Sequence, residues 1–396
     1  MYLFYFFAAI LIFLGYKSLR GGIDYLRYFK RELTNPKSDF TPFASVFVPC
    51  RGLDQDLHEN LSALFQQDYP NYEVIFIVDD ENDEAVSIIE KSKNPISTKL
   101  VIAGKAENEG QKVHNLRQAV LEVSDKSEVF VFVDSDARPA KDWLRNLIAP
   151  LKDEKIGCST GYRWFIAKKN NFSSQLRSVW NASIASALGA NANKNFCWGG
   201  STAIRREIFE KIGMREKWKG TLSDDFAMTR AMKEANLSIY FVPNCLTATV
   251  EDCGFSELLE FTTRQMKITR VYAPHLWKAS FIGSALFTIT FWTGVVLLFF
   301  VSGWHFVIIF SLLLIIFALG IAKAWVRLSA VKMVLKNYEK ELNKSFLWQI
   351  SLWTISSALY FYNCFCAFQS NVISWRGITY KLESPNKTII LESGKK

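Results

Sequence analysis

The chain has 396 residues, with 47 Lys and Arg against 38 Asp and Glu and a formal charge of +9. Hydrophobic residues reach 49% and aromatics 15%, while charged residues make up 21%, which excludes a disordered or collagen-like polymer. Seven cysteines (Cys50, Cys158, Cys197, Cys245, Cys253, Cys364, Cys366) show no CxxC spacing and the four histidines are dispersed, so any metal must be held by oxygen.

Residues 1–16 carry no charge and give way to Lys17, Arg20, Arg27, Lys30 and Arg31. A cleavable signal peptide has the opposite order, so 1–16 reads as a membrane anchor with its N-terminus outside. From 37 to 253, short apolar runs alternate with helix-period segments, the pattern of an α/β layer fold. Strands are expected over 44–50, 72–78, 99–103 and 129–133, and helices over 57–67, 84–93, 111–123 and 143–151.

Parallel strands joined by crossover helices place their ligand at the C-terminal strand ends. Here the first strand runs into Pro49-Cys50-Arg51-Gly52, the second into Asp79-Asp80 and the fourth into Asp134-Ser135-Asp136. A solvated turn also favours Asp, but three strands deliver charged groups to one sheet edge. Neither GxGxxG nor GxxxxGK[ST] is present. Asp134 and Asp136 instead offer two oxygen ligands on one turn, suited to Mg²⁺ or Mn²⁺. A hard cation there would neutralise a diphosphate leaving group.

Ser223-Asp224-Asp225-Phe226 introduces an expected helix over 227–235. An N-cap accounts for one of its two carboxylates; the other is free to serve as general base toward an acceptor hydroxyl. Cys197-Trp198-Gly199-Gly200-Ser201 reads either as a tight turn or as a close-approach loop lining a sugar pocket. Segment 254–278 mixes apolar residues with Arg264, Lys267 and Arg270 and suits the membrane interface. Its cations either snorkel or grip a phosphate.

The stretch 279–322 has His305 as its one possible charge and is long enough for two crossings with a turn near Ser302. The basic loop 323–344 lies, by the positive-inside rule, on the side of the basic segment after Tyr16, which makes the middle of the chain cytoplasmic. Segment 345–375 suits one further crossing. Counting crossings puts the tail 376–396 outside, whereas Arg376, Lys381, Lys387, Lys395 and Lys396 argue for the inside, as would a re-entrant segment. Much of the positive excess flanks apolar segments, where topology and anionic headgroups explain it, so no nucleic-acid partner is expected.

The ordered set VDD (78–80), GQKVHNL (110–116), VDSDA (133–137), CWGGS (197–201), SDDF (223–226) and an Arg/Gln-rich segment before C-terminal apolar helices resembles family 2-type inverting glycosyltransferases. Within them it is similar to the ceramide glucosyltransferase group, family 21. The resemblance implies a GT-A domain with one N-terminal and about three C-terminal transmembrane helices. It also implies transfer of a hexose, glucose in the group named, from a UDP-sugar to a lipid hydroxyl. Such a protein is a multi-pass membrane protein with a cytosolic catalytic domain, in the inner membrane if bacterial and in the Golgi or ER if eukaryotic. Residue by residue, Asp80 with Asp79 would face the uridine, Asp134 with Asp136 would hold the metal, and Asp225 would be the base, with Asp224 in place of the family's Glu. Lys112 and Asn115 would lie on the nucleotide side, Pro49 and Arg51 at the end of the first strand, and Trp198 and Gly199 beside the donor. The family's (Q/R)xxRW motif falls on Arg264-Gln265-Met266-Lys267-Ile268, with Lys for Arg and Ile for Trp, unless its role has moved to Gln265 and Arg270. Rival readings are a polysaccharide synthase, a diacylglycerol or polyprenyl-phosphate transferase, and a non-catalytic scaffold.

Overall fold

The computed structural model describes residues 1–36, 38–92 and 96–393. The expected domain start at Lys37, the expected helix end at Lys93 and the tail cations Lys395 and Lys396 lie outside the described residues. The chain divides into two compact units, one made of 31–165, 187–251 and 371–396 and the other of 1–30, 166–186 and 252–370.

In the first unit the Val-, Ile- and Phe-rich runs become strands β1 (Ala44–Pro49), β2 (Tyr72–Val78), β3 (Ser97–Ile102), β4 (Val129–Phe132), β5 (Ile156–Ile166), β6 (Thr202–Arg205) and β7 (Ser238–Val250). Among the described residues they form one sheet in the order β3-β2-β1-β4-β6-β5-β7. Strand β1 pairs in parallel with β2 and β4, placing Ala44 opposite both Tyr72 and Val129, while β6 runs antiparallel to β4. Strands buried on both faces carry continuous apolar runs rather than an alternation, and β2 is buried along its whole length. This is the mixed α/β, GT-A arrangement that the motifs imply.

The expected helices are present at Leu57–Leu64, Glu84–Lys91, Gln111–Ala119 and Trp143–Ile148, each ending earlier than its apolar period alone would place it. The core between sheet and helices is built on Phe47, Ile75, Leu116, Phe130 and Phe132, with Phe132 meeting Trp218 edge-on at 5.4 Å. The tail also belongs to this unit. Strands β8 (Val372–Trp375), β9 (Ile378–Ser384) and β10 (Lys387–Ser393) make a separate antiparallel sheet in the order β10-β9-β8.

The second unit is helical. Among its described residues three helices are long and apolar enough to cross a membrane: Tyr2–Glu32, Pro274–Leu297 and Gly303–Val334. The uncharged N-terminal stretch is thus the first half of a longer helix, and the expected hairpin turns at 298–302. Glycines let the helices close up: a side chain at Gly294 would meet Phe4 and Leu313, and one at Gly320 would strike the ring of Trp353. The segment expected to make a further crossing at 345–375 is instead divided into Phe346–Ser351 and Trp353–Gln369, then enters β8. Among the described residues, the two helices between residue 251 and the tail that are long and apolar enough to cross a membrane are thus Pro274–Leu297 and Gly303–Val334.

A buried cluster braces the loops at the sheet edge. Glu109 accepts from Arg117 (2.8 Å) and from the Gly220 amide (3.1 Å), and lies 3.0 Å from His114 Nδ1. That hydrogen bond raises His114 above its ordinary value of 6.5, against the opposing effect of burial. A raised histidine stabilises the fold fully below its unfolded value and ceases to do so as pH rises through the folded one. Stability measured by thermal unfolding is therefore expected to decline as pH rises above the ordinary histidine range, and Glu109→Gln should flatten that decline.

Candidate active site

Four acidic groups and their cations meet at the C-terminal edge of the first unit's sheet. Strand β4 ends at Phe132 and delivers Asp134-Ser135-Asp136. The helix Asp224–Glu234 delivers two more carboxylates at its first turn, with Ser223 as N-cap accepting from the Phe226 amide. Lys112, from the helix Gln111–Ala119, lies between these sources, 2.7 Å from Asp134 and 3.2 Å from Asp224. Burial alone would depress this ammonium, but the two carboxylates outweigh it and push its pKa up. Asp224 is 6% exposed, and burial raises its carboxyl to about 6 against the pull of Lys112. Asp225 is half-buried; its Oδ1 accepts from the Phe226 amide at 2.7 Å and from the Ser223 hydroxyl, and its Oδ2 lies 3.5 Å from the Gly199 amide.

Gly199 is required there. A Cβ at this position would strike Asp224 Oδ2 and sit 2.7 Å from Lys112 Nζ, and one at Gly200 would strike the ring of Trp198. The tryptophan ring in turn carries the Arg163 guanidinium at 4.9 Å. A narrow cleft opens here, lined by Cys197, Gly199, Trp218, Asp224, Asp225 and Met228 among others.

Arg163, on β5, pairs with both members of the DxD turn, at 3.1 Å from Asp136 and 3.6 Å from Asp134. Burial works to raise Asp134, yet Lys112 and Arg163 outweigh it and hold the carboxyl below its usual range. Burial raises Asp136 to about 7 against Arg163, and its buried Oδ1 has no hydrogen-bond partner. An orphaned carboxylate oxygen beside a second carboxylate fits a hard cation. Among the described residues no set of three or more His, Cys, Asp and Glu could enclose an ion, so further ligands would come from water or substrate phosphate.

At the neighbouring strand ends, Arg51 bonds Asp79 at 2.6 Å. Burial raises Asp79, with Arg51 opposing. Asp80 accepts from the backbone and side chain of Asn82, both at 3.0 Å, inside its own turn. Pro49 ends β1, half-buried. Asn115 is buried and accepts from Gln111 at 2.8 Å; Gln111 in turn holds the Gly104 carbonyl and the Ala106 amide, so Asn115 braces the loop after β3.

Three expected site residues lie in the second unit. Arg264 is 3.6 Å from Glu260 and lies over the Phe261 ring, Arg270 donates to the Ala367 carbonyl at 2.6 Å, and the Gln265 carbonyl accepts from Thr269. The structure therefore joins Lys112, Asp134, Asp136, Asp224, Asp225, Trp198 and Gly199 in one network and leaves Arg264, Gln265 and Arg270 in contacts of their own unit. Sequence reasoning missed Arg163, whose signal was a lone cation in the buried run GYRWFI. A charge in such a strand needs a partner.

The fold and the acid-lined sheet edge define a GT-A, nucleotide-diphospho-sugar transferase type of domain. Glycosyl transferase family 21 matches residues 7–388, and the chain belongs to that family of glycosyltransferases. It is 21% identical over 245 residues to ceramide glucosyltransferase 3 of Caenorhabditis elegans, covering 59% of this chain and 52% of the relative. It is 25% identical over 203 residues to the hyaluronan synthase of Streptococcus pyogenes, covering 47% of each. The chain thus spans about half the length of these curated relatives. Among solved structures it is similar to the mannosyltransferase PcManGT of Pyrobaculum calidifontis in complex with GDP-Man and Mn²⁺, at 19% identity, 92% and 98% coverage and a TM-score of 0.47.

The shared ammonium is the part of this network most exposed to a single change. Removing one partner of a buried ion pair costs about 3 to 5 kcal/mol because the other charge is left uncompensated. Lys112→Met leaves two carboxylates facing each other, and thermal unfolding in detergent is expected to register a loss in that range, with Lys112→Arg recovering part of it.

Proposed function

We propose that the chain is an inverting, membrane-bound glycosyltransferase that moves a hexose, glucose in the first instance, from a UDP-sugar to the hydroxyl of a lipid acceptor of the ceramide type. The observation that carries this reading is the meeting of Asp134, Asp136, Asp224 and Asp225 around Lys112 and Arg163 in a chain of family 21. The catalytic unit is taken to face the cytoplasm, in keeping with the cations that follow the first apolar stretch.

In this account Asp225 accepts the proton of the acceptor hydroxyl, and the oxygen attacks the anomeric carbon from the face opposite the diphosphate, so configuration inverts. Ser223 and the Phe226 amide hold one carboxylate oxygen of Asp225, which fixes its direction. Lys112 bridges Asp224 and Asp134 and favours the charged form of each. Asp134 and Asp136 would hold Mg²⁺ or Mn²⁺, which when bound neutralises charge on the leaving diphosphate. Asp79, Asp80, Arg51 and Asn115 stand or brace on the nucleotide side, Pro49 shapes that strand end, and Arg264, Gln265 and Arg270 are assigned to phosphate or acceptor contacts.

The match to hyaluronan synthase favours a second reading, a polysaccharide synthase. Against it, the three candidate crossing helices among the described residues offer little material for a polymer channel. Mass spectrometry of products from UDP-glucose and mixed lipids separates the two: a lipid gaining one hexose supports our reading, and a polymer series contradicts it. Diacylglycerol or a polyprenyl phosphate gaining that hexose would correct the acceptor.

Two substitutions test the chemistry. Asp225→Asn is expected to abolish transfer while UDP binding stays largely intact; persistent turnover would refute the base assignment. Gly199→Ala forces Asp224 and Lys112 to shift, and misplacement on that scale lowers turnover by about a hundredfold. Initial rates with UDP-glucose measure it.

A further inference from the structure

The tail that ends the chain reaches the acidic turn. Strands β8 and β9 are joined by two residues, Arg376 and Gly377, and Trp375 pairs with Ile378 across the turn. Both turn residues have positive φ, +50° and +78°. A two-residue hairpin of this type selects Asn-Gly or Gly-Gly, because a side chain larger than Asn is strained there. An arginine held at positive φ is a strained choice, and strain of that kind points to work done by the side chain.

The side chain reaches two acceptors on the loop after β1. Arg376 Nη1 donates to the Arg51 carbonyl at 2.6 Å, and Nη2 lies 2.6 Å from Asp54 Oδ1. The other oxygen of Asp54 accepts from the Ser135 hydroxyl at 2.5 Å. Ser135 is the middle residue of the Asp134-Ser135-Asp136 turn, and its carbonyl accepts from Asn60 at 3.1 Å. The guanidinium also acts electrostatically on Asp136 and Asp134. Two further points tie the same small sheet to the site's other loops. The Gln111 amide, at the start of the helix that carries Lys112, donates to the buried Tyr380 hydroxyl at 3.2 Å. At the second turn, Asn386 bonds Arg230, and its carbonyl faces Gly220, just before Ser223.

We propose that the C-terminal hairpin is part of the donor site, and that Arg376 is a positioning residue that sets the Asp134–Asp136 turn through Asp54 and Ser135. This rests on the donor-site reading above for its catalytic consequence, but not for its structural content. The tail is thereby a clamp on three loops at once: the one after β1, the one that opens the Lys112 helix and the one that leads into Ser223.

The test uses the full chain in detergent with Arg376→Ala and Arg376→Lys, read by amide hydrogen exchange and by titration with UDP and Mn²⁺. Arg376→Ala should speed exchange in residues 50–56 and 133–138 while the core strands keep their protection. Outer partners of ligand residues typically carry about ten- to a hundredfold in affinity, so UDP binding in Mn²⁺ should weaken by about that factor and KM should rise more than kcat falls. Arg376→Lys keeps the charge but cannot reach both acceptors, and should change in the same direction by less. Unchanged loop exchange and unchanged UDP affinity in the alanine variant overturn the proposal, as does wild-type behaviour of the lysine variant should the alanine variant fail to fold. Should wild-type protein bind no UDP, the donor reading fails, while faster exchange in the two loops still upholds the role of Arg376 and unchanged exchange still removes it.

Discussion

The sheet edge depends on one buried ammonium. Lys112 lies within bonding reach of both Asp134, which follows β4, and Asp224, which opens the Asp224–Glu234 helix. Without it, two carboxylates from separate elements would face each other in a space where charge is weakly screened. With it, a strand end and a helix start are drawn to one place. Arg163 repeats the device on the other side of Asp134, reaching Asp136 as well. The resulting balance of carboxylates and cations is what lets so much charge sit under so little solvent.

That balance is also suited to a ligand of mixed character. A nucleotide diphosphate would bring negative charge and a divalent ion positive charge, and each would meet groups of the opposite sign. The buried Oδ1 of Asp136 has no hydrogen-bond partner among the described residues, so there the protein's own groups stop short. Gly199 keeps side-chain bulk out of the space that Asp224 and Lys112 share, so the arrangement relies on the absence of a Cβ as much as on the charges.

Much of the fold could be read from residue pattern. ASVFVP, YEVIFIV and VFVF are runs suited to a doubly covered sheet, and the acidic residues after two of them marked the edge where the carboxylates meet. Helix ends were less legible, because the apolar period persists past the point where tertiary packing stops the helix. The tail was misleading for a physical reason. The uncharged stretch 345–375 reads by hydropathy as one object, although VISW-RG-ITYKLES alternates with period two and holds a two-residue turn, the signature of a hairpin. Hydropathy averages over the change from helix to strand; periodicity does not. Asp54 was invisible for a different reason, since a pairing between distant loops leaves no local pattern, whereas Arg163 left one trace, a lone cation inside a strand.

The central claim is that the carboxylates gathered by Lys112 and Arg163 make a cation-dependent nucleotide site. It is tested most directly by titrating UDP into the full chain with Mn²⁺, with EDTA, and with Mn²⁺ in the Asp134→Asn variant. The account predicts saturable binding in Mn²⁺, and its loss both in EDTA and in the variant. Binding of equal strength in all three arms would contradict it.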